Sequence, residues 1–282
     1  MSIEEEKFSG GVAVVTGAGA GIGMGFARRL AAVGMTVVVT DVSGERAEKV
    51  AAEIRDSGGK AEAMVVDVSQ PAELDRLAKT VFEKHGAVRV LVNNAGIETI
   101  GYTWEIPVER WEATLNINIH GIVHGCRAFV PYMLKQGGEA WIANLASIGS
   151  FGTMPTQTSY IMSKHAVQAF SECLYLEMEL AEAPIHVCSV IPGMLKTSIF
   201  DVDAGKGEPE GSDRHRKAMR DMMQAYGMDL DEGCAEFVRK MAENRFWVDS
   251  QPDMTREAVE RRIQYMQNQE RPELAEQARA LL

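Results

Sequence analysis

Three features of this 282-residue sequence predict an α/β fold, a doubly wound parallel sheet of about seven strands flanked by helices. Short β-branched runs alternate with longer amphipathic segments. Several of those runs are almost wholly apolar, as strands covered on both faces must be. No linker of biased composition and no internal repeat interrupts the alternation, so residues 1–282 read as one domain, although the length alone would allow two.

The candidate strands, in order, are Val12–Thr16, Thr36–Asp41, Ala61–Asp67, Val88–Asn93, Ala140–Ala146, His186–Ile191 and Phe246–Val248. Helical periodicity fills the gaps between them, near 22–33, 44–57, 70–85, 107–136, 158–182 and 231–243, with Pro107 where a first helical turn tolerates it. The longest departure is about 195–230, where Gly205, Gly207, Pro209 and Gly211 precede a charged, Met-rich segment. A connection of that length in a compact domain reads as a substrate lid or a disordered segment, with plain core packing of its methionines the other reading. Residues 252–282 read as a helical C-terminal extension, with Val259, Ile263 and Met266 at helical spacing.

Composition narrows the function. With 29 Lys+Arg against 40 Asp+Glu, the net charge of -11 offers no footprint for nucleic acid or anionic lipid. No run approaches the roughly 20 apolar residues of a membrane span, and the acidic Glu4-Glu5-Glu6 is unlike a signal peptide. Cys126, Cys173, Cys188 and Cys234 are scattered and read as buried thiols in a reducing, cytoplasmic compartment. The His120/His124 pair, four apart, lacks the carboxylate arrangement of a zinc site, so no metal is expected.

The first strand runs into Thr16-Gly17-Ala18-Gly19-Ala20-Gly21-Ile22-Gly23 and then directly into a helix pattern. Glycines here permit a tight turn and close backbone approach, so the amides at the helix start can face a pyrophosphate. Asp41 ends the second strand, 24 residues beyond Gly17. A carboxylate there can accept two ribose hydroxyls and repels a 2′-phosphate, which favours NAD over NADP, and no cation lies within the glycine turn. The same Asp41 could instead cap the following helix. Asp67 and Val68 close the third strand, within reach of an adenine edge.

These residues, together with Asn93-Asn94-Ala95-Gly96, Ser147, Tyr160-xxx-Lys164 and Pro192-Gly193, stand in the order and spacing of the short-chain dehydrogenase/reductase family. The sequence resembles that family over roughly residues 8–198. The resemblance implies a Rossmann-like sheet, an NAD-dependent oxidoreductase acting on a small-molecule alcohol or ketone, and a homodimer or homotetramer paired through helices 107–136 and 158–182.

The chemistry of Tyr160 can be argued on its own terms. Tyr160 and Lys164 are four apart and share a helix face. Bringing a phenol from a pKa of about 10 to about 7 takes roughly 4 kcal/mol, which one cation at about 4 Å supplies at an effective dielectric of 20. Tyr160 therefore reads as general acid/base, and Ser147, at the end of a strand, as a hydrogen-bond partner of the substrate oxygen. By resemblance, Lys164 also binds the nicotinamide ribose. Asn118 matches the family asparagine that helps relay protons, with nearby Asn116 the competing assignment. Asn94, Ala95 and Gly96 line the cofactor cleft, with Asn93 the expected direct contact. Pro192-Gly193, followed by Thr197, resembles the family turn that passes the nicotinamide.

Ile148, Gly149, Phe151, Met154, Met194, Leu195 and Phe200 occupy substrate-facing positions of the family and are mainly apolar, so a bulky apolar or aromatic secondary alcohol is expected. The ending Arg245-Phe246-Trp247-Val248-Asp249 departs from the family pattern and puts in doubt the usual C-terminal contribution to the pocket. Two rival functions remain: a non-catalytic NAD-binding sensor or scaffold, and an NAD-dependent epimerase or dehydratase. The first has no need of Ser147, Tyr160 and Lys164 together. The second typically carries a different glycine spacing and a larger C-terminal substrate domain.

Overall fold

A computed structural model describes residues 1–201, 206–269, 271–274 and 276. Seven strands, β1 (Val12–Val15), β2 (Thr36–Asp41), β3 (Lys60–Val65), β4 (Val90–Asn93), β5 (Ala140–Leu145), β6 (Ile185–Ile191) and β7 (Trp247–Asp249), form one sheet in the order β3-β2-β1-β4-β5-β6-β7. Every neighbouring pair is parallel. Both faces of β1, β4 and β5 are buried because crossover helices must lie over them.

On one face, Phe26 and Leu30 of α2 (Gly21–Ala32), Val50 and Ile54 of α3 (Gly44–Asp56) and Phe237 and Met241 of α9 (Leu230–Ala242) pack in one cluster. On the other, Leu74 and Val81 of α4 (Pro71–His85), Phe129 of α6 (Gly121–Gln136) and Val167 and Leu174 of α7 (Thr158–Leu180) form a second. The chain winds outward from β1 to β3 and then returns beside β1 as β4. This reversal opens a crevice at the carboxyl ends of β1 and β4, where ligands of such sheets bind.

Several boundaries differ from the sequence expectation. The third strand stops at Val65, not Asp67, because the Asp67 carboxylate accepts hydrogen bonds from the Ser69 N–H and hydroxyl and turns the chain toward α4. The fourth strand begins at Val90 and the seventh is Trp247–Asp249. The expected helix 107–136 divides into α5 (Val108–Leu115), a π-turn at Asn116–His120 and α6. A short α1 (Ile3–Phe8) was not anticipated; Ser2 and Glu5 form a reciprocal capping box, so the acidic run is a helix start. Within the expected lid, Ser212–Tyr226 forms α8, and residues 202–205 lie outside the described part. The C-terminal extension begins as α10 (Pro252–Asn268), while 270, 275 and 277–282 also lie outside it. Cys126, Cys188 and Cys234 are buried, but Cys173 is exposed on α7, correcting the expectation that all four are buried.

Candidate active site

The glycine turn is built by steric exclusion. Gly17 and Gly21 have φ of 61° and 52°, which only glycine adopts without strain. A Cβ at Gly23 would lie 2.4 Å from the Gly17 carbonyl oxygen, so the turn and α2 close on each other only without side chains there. The Asn94 amide donates to the Thr16 and Gly17 carbonyls (2.8 and 3.1 Å), and the Thr16 hydroxyl accepts from the Asn94 N–H (2.9 Å). The ends of β1 and β4 are thus stitched together beneath the crevice. Ala20 precedes α2 without a capping side chain, so the first helical amides carry no side-chain acceptor.

A cleft of about 330 Å³ opens over these amides, lined by Gly19, Ala20, Gly21, Met24, Lys196, Thr197 and Ser198 among others. Naked helix amides, a nearby lysine and glycines whose Cβ would obstruct the turn fit the pyrophosphate of a dinucleotide. Thr197 faces Gly21 across the cleft, 3.7 Å from where a Cβ would stand.

Asp41 is 6% exposed, and its carboxylate accepts from the Gly19 N–H (3.1 Å), the Ser43 N–H (2.9 Å) and the Arg46 guanidinium (2.6 Å). Arg46 is the cation that the sequence reading overlooked: it lies outside the glycine turn but one helical turn from Asp41. The alternative role of Asp41 as helix cap falls instead to Ser43, whose side chain accepts from the Arg46 N–H. Val68 is buried against Gly121, while Asp67 is half-buried at the start of its turn.

Asn93 is a correction. Rather than facing the cleft, it is 2% exposed and donates to Asn144 Oδ1 (2.9 Å) from inside the sheet. Alternation along β4 sends its side chain to the face covered by α6, and the cleft is reached by the backbone of Asn94, Ala95 and Gly96.

At the carboxyl end of β5, Ser147 is buried, and its hydroxyl accepts from the Gly149 N–H (3.0 Å). Gly149 lies against it and Tyr160: a Cβ there would stand 3.4 Å from Ser147 Oγ and 3.8 Å from the Tyr160 ring. Tyr160 and Lys164 leave the same face of α7, with Lys164 Nζ 5.5 Å from the Tyr160 ring centroid. The ammonium donates to the Leu145 carbonyl (2.7 Å). Burial depresses its pKa to about 8, partly offset by the Glu98 carboxylate.

Tyr160 does not have the lowered pKa that the 4 Å expectation required. Burial raises it, Glu98 raises it further, and the Ser147 hydroxyl only partly opposes them. The ammonium of Lys164, 5.5 Å from the ring centroid, does not outweigh them. In the free protein the phenol is held as the acid.

The π-turn places the two asparagines in different surroundings. The Asn116 side chain pairs with His120 (2.9 Å), while Asn118 is fully buried and clamps residue 97 from both sides. Its Oδ1 accepts from the Ile97 N–H (2.8 Å), and its amide donates to the Ile97 carbonyl (2.9 Å) and to Ser163 Oγ (3.1 Å). The extra residue of a π-turn re-aims a side chain that an α-helix would direct elsewhere. Ser163, overlooked in the sequence, thereby ties Asn118 to α7 one residue before Lys164.

Two more overlooked residues come from the C-terminal segment. Ser250 Oγ accepts from the Gly193 N–H (3.3 Å), and Gln251 Oε1 accepts from the Met194 N–H (2.7 Å), so the unusual ending buttresses the Pro192–Met194 turn. Met194 and Phe200 pack with Ile100, Ile199, Met219 and Met223, which joins the expected apolar wall to α8. Phe151 instead stacks on Trp247 (5.0 Å between centroids), away from that cluster.

Residues 11–205 match the family model of the short chain dehydrogenases. The chain belongs to that family. A probable oxidoreductase, EphD, from Mycobacterium tuberculosis is 35% identical over 185 residues, which are 66% of this chain and 31% of that protein, so this short-chain dehydrogenase aligns with under a third of that relative. A cyclohexanol dehydrogenase from Acinetobacter is 35% identical over 70% of this chain and 78% of its own. A short-chain dehydrogenase/reductase from Burkholderia phymatum in complex with NAD superposes with a TM-score of 0.90 at 29% identity, covering 95% of this chain and 98% of that one. A metagenomic relative in complex with NADP superposes with a TM-score of 0.69 at 26% identity, covering 86% and 96%. The protein carries the seven-stranded parallel sheet of this family. No helix among the described residues is long and apolar enough to cross a membrane.

Proposed function

We propose that the protein interconverts a secondary alcohol and its ketone, with NAD favoured over NADP as the dinucleotide. The observation that carries this reading is the convergence of Ser147, Tyr160, Lys164 and Asn118 beside a glycine turn shaped for a pyrophosphate.

Gly17, Gly19, Gly21, Ile22 and Gly23 would hold the pyrophosphate, Asp41 the adenosine ribose and Asp67–Val68 the adenine edge. Asn94–Gly96, Lys164, Pro192, Gly193 and Thr197 would hold the nicotinamide half. The dinucleotide, when bound, supplies the acceptor or donor of hydride. Ser147 fixes the substrate oxygen by a hydrogen bond. In reduction, Tyr160 gives its phenolic proton to that oxygen; in oxidation, the phenolate takes the proton back. Lys164 stabilises the phenolate, and Asn118 holds the neighbouring backbone and relays protons. Because burial holds the free phenol above its ordinary value, oxidation calls on Lys164 to stabilise the phenolate, and the oxidised dinucleotide, when bound, would add positive charge beside it.

Ile148, Gly149, Met154, Met194 and Phe200 support a bulky, largely apolar substrate, in keeping with the similarity to a cyclohexanol dehydrogenase. The described part of the 195–230 segment, residues 195–201 and 206–230, would act as its lid. Leu176 and Leu180 on α7, 62% and 87% exposed, support a homodimer or homotetramer paired through α6 and α7.

Tyr160→Phe tests the assignment. Turnover of cyclohexanol should fall by at least about 100-fold while NADH binding stays within a few-fold. Retained turnover refutes the role of Tyr160. Substrate conversion without net NADH would instead favour an epimerase or dehydratase, and binding without any conversion a sensor.

A further inference from the structure

Glu98 lies two residues beyond the glycine of Asn93-Asn94-Ala95-Gly96, and nothing in the reaction described above uses it. Its backbone is held on all sides. Asn118 clamps Ile97, Arg110 donates to the Glu98 carbonyl (3.0 Å) and to the Thr99 hydroxyl (2.9 Å), and the Ile100 N–H donates to Glu208 (2.7 Å). The side chain is therefore placed by a built loop. It is 2% exposed, its carboxyl lies within electrostatic range of both Tyr160 and Lys164, and its Oε1 has no hydrogen-bond partner among the described residues.

The neighbouring cations are committed elsewhere. Arg216 donates to Glu208 (3.2 Å from Nε) and to the Ile199 carbonyl (3.0 Å), and the two side chains form a buried ion pair. Lys164 donates to Leu145, and the Arg110 Nη2 bonds run to backbone and hydroxyl oxygens of the loop. Burial also raises the Glu98 carboxyl well above the usual carboxylate range, which favours its protonated form, able both to donate and to accept. A buried polar atom without a partner beside a reaction centre is a partner awaiting a ligand group. A cationic group is disfavoured there by Lys164 and Arg216, and an anionic one by Glu208; a neutral hydroxyl suits the site.

We propose that Glu98 is a specificity-determining residue that hydrogen-bonds a second hydroxyl of the substrate, so that the preferred substrates are diols and their hydroxy ketones rather than simple secondary alcohols. This rests on the alcohol dehydrogenase reading above and sharpens its apolar substrate: one polar contact is set in an otherwise apolar wall. A substrate without the second hydroxyl leaves the carboxyl unpaired in the closed complex, which corresponds to a loss on the order of 10- to 100-fold in kcat/KM.

The test compares cyclohexanol with cyclohexane-1,2-, 1,3- and 1,4-diols, with each dinucleotide, on the wild type and on Glu98→Gln and Glu98→Leu. The expected result is a wild-type preference of at least about tenfold for one of the diols. Glu98→Gln, which still donates and accepts, should keep that preference within a few-fold. Glu98→Leu should bring the diol-to-cyclohexanol ratio close to one. Equal wild-type rates on cyclohexanol and every diol overturn the inference and leave the alcohol dehydrogenase reading standing. A ratio preserved in Glu98→Leu, with both rates lowered alike, also overturns it, since that is the mark of a structural role. No turnover of any of these alcohols, nor of cyclohexanone in the reverse direction, defeats the dehydrogenase reading itself and the inference with it. Should Glu98→Leu fail to fold, the wild-type ratio and Glu98→Gln decide.

Discussion

Replacing Asp41 with serine is expected to swing dinucleotide preference toward NADPH. A 2′-phosphate in place of the ribose hydroxyl would stand about 4 Å from the Asp41 carboxylate, a repulsion of about 4 kcal/mol per unit charge at an effective dielectric of 20. Arg46, bonded to that carboxylate at 2.6 Å but with its side chain 54% exposed, offsets part of it. A net discrimination of roughly 2 kcal/mol remains, about 30-fold in affinity. Asp41→Ser removes the repulsion and releases Arg46 to meet the phosphate, so the ratio of the NADPH to the NADH dissociation constant should fall by about 30-fold or more. Arg46→Ala should move the ratio the opposite way, because the cation bonded to Asp41 is lost while the carboxylate stays. Calorimetric titration with the reduced dinucleotides reads these constants without any substrate. A wild type that already binds NADPH as tightly as NADH, or a ratio unchanged in Asp41→Ser, would refute the ribose argument.

Other expected outcomes concern stability. Lys164, 5% exposed, has its folded pKa depressed from 10.5 to about 8. Its burial therefore opposes folding in full below pH 8, and the penalty is relieved as pH rises toward 10.5, for a total of about 3 kcal/mol. Urea denaturation should find Lys164→Met more stable than the wild type at pH 7, with the difference narrowing up to pH 10.5; a pH-independent difference would contradict this. The thiols of Cys126, Cys188 and Cys234, pushed up to about 12 by burial, act oppositely and should lower the stability of both proteins alike above pH 9. Glu208 and Arg216 are each 1% exposed, so Glu208→Ala should cost about 3–5 kcal/mol by stranding a buried guanidinium. Replacing both with leucine should cost less, and equal losses in denaturant unfolding would argue that packing, not charge, holds α8 down.

Much of the framework could be read from residues near one another in the chain. Tyr160 and Lys164 share a face because four residues make about one helical turn. The parallel sheet of about seven strands needed only the alternation of apolar runs with amphipathic segments, while the strand order came from the structure. The misplaced boundary at Asp67 came from a side chain that bonds its own backbone, a competition that apolar periodicity does not register. Asn93 was misassigned because its motif names a location without saying which face of β4 each residue occupies. Asn118 could be separated from Asn116 only by resemblance, since the π-turn that re-aims it has no simple residue signature.

The sequence by itself determined the alternation of strands and helices, the glycine turn after the first strand, and the shared helix face of Tyr160 and Lys164, because local sterics and hydrophobic periodicity act over a few residues. Only the tertiary structure decided the electrostatics of the site. The pairing of Asp41 with Arg46, the support of Gly193 by Ser250 and of Met194 by Gln251, and the enclosure of Glu98 between Lys164 and Arg216 depend on which segments fold against one another. A pKa responds to burial and to every charge within several ångströms, whichever part of the chain carries it. For that reason the sequence could name the phenol but not foresee that burial and Glu98 hold it as the acid.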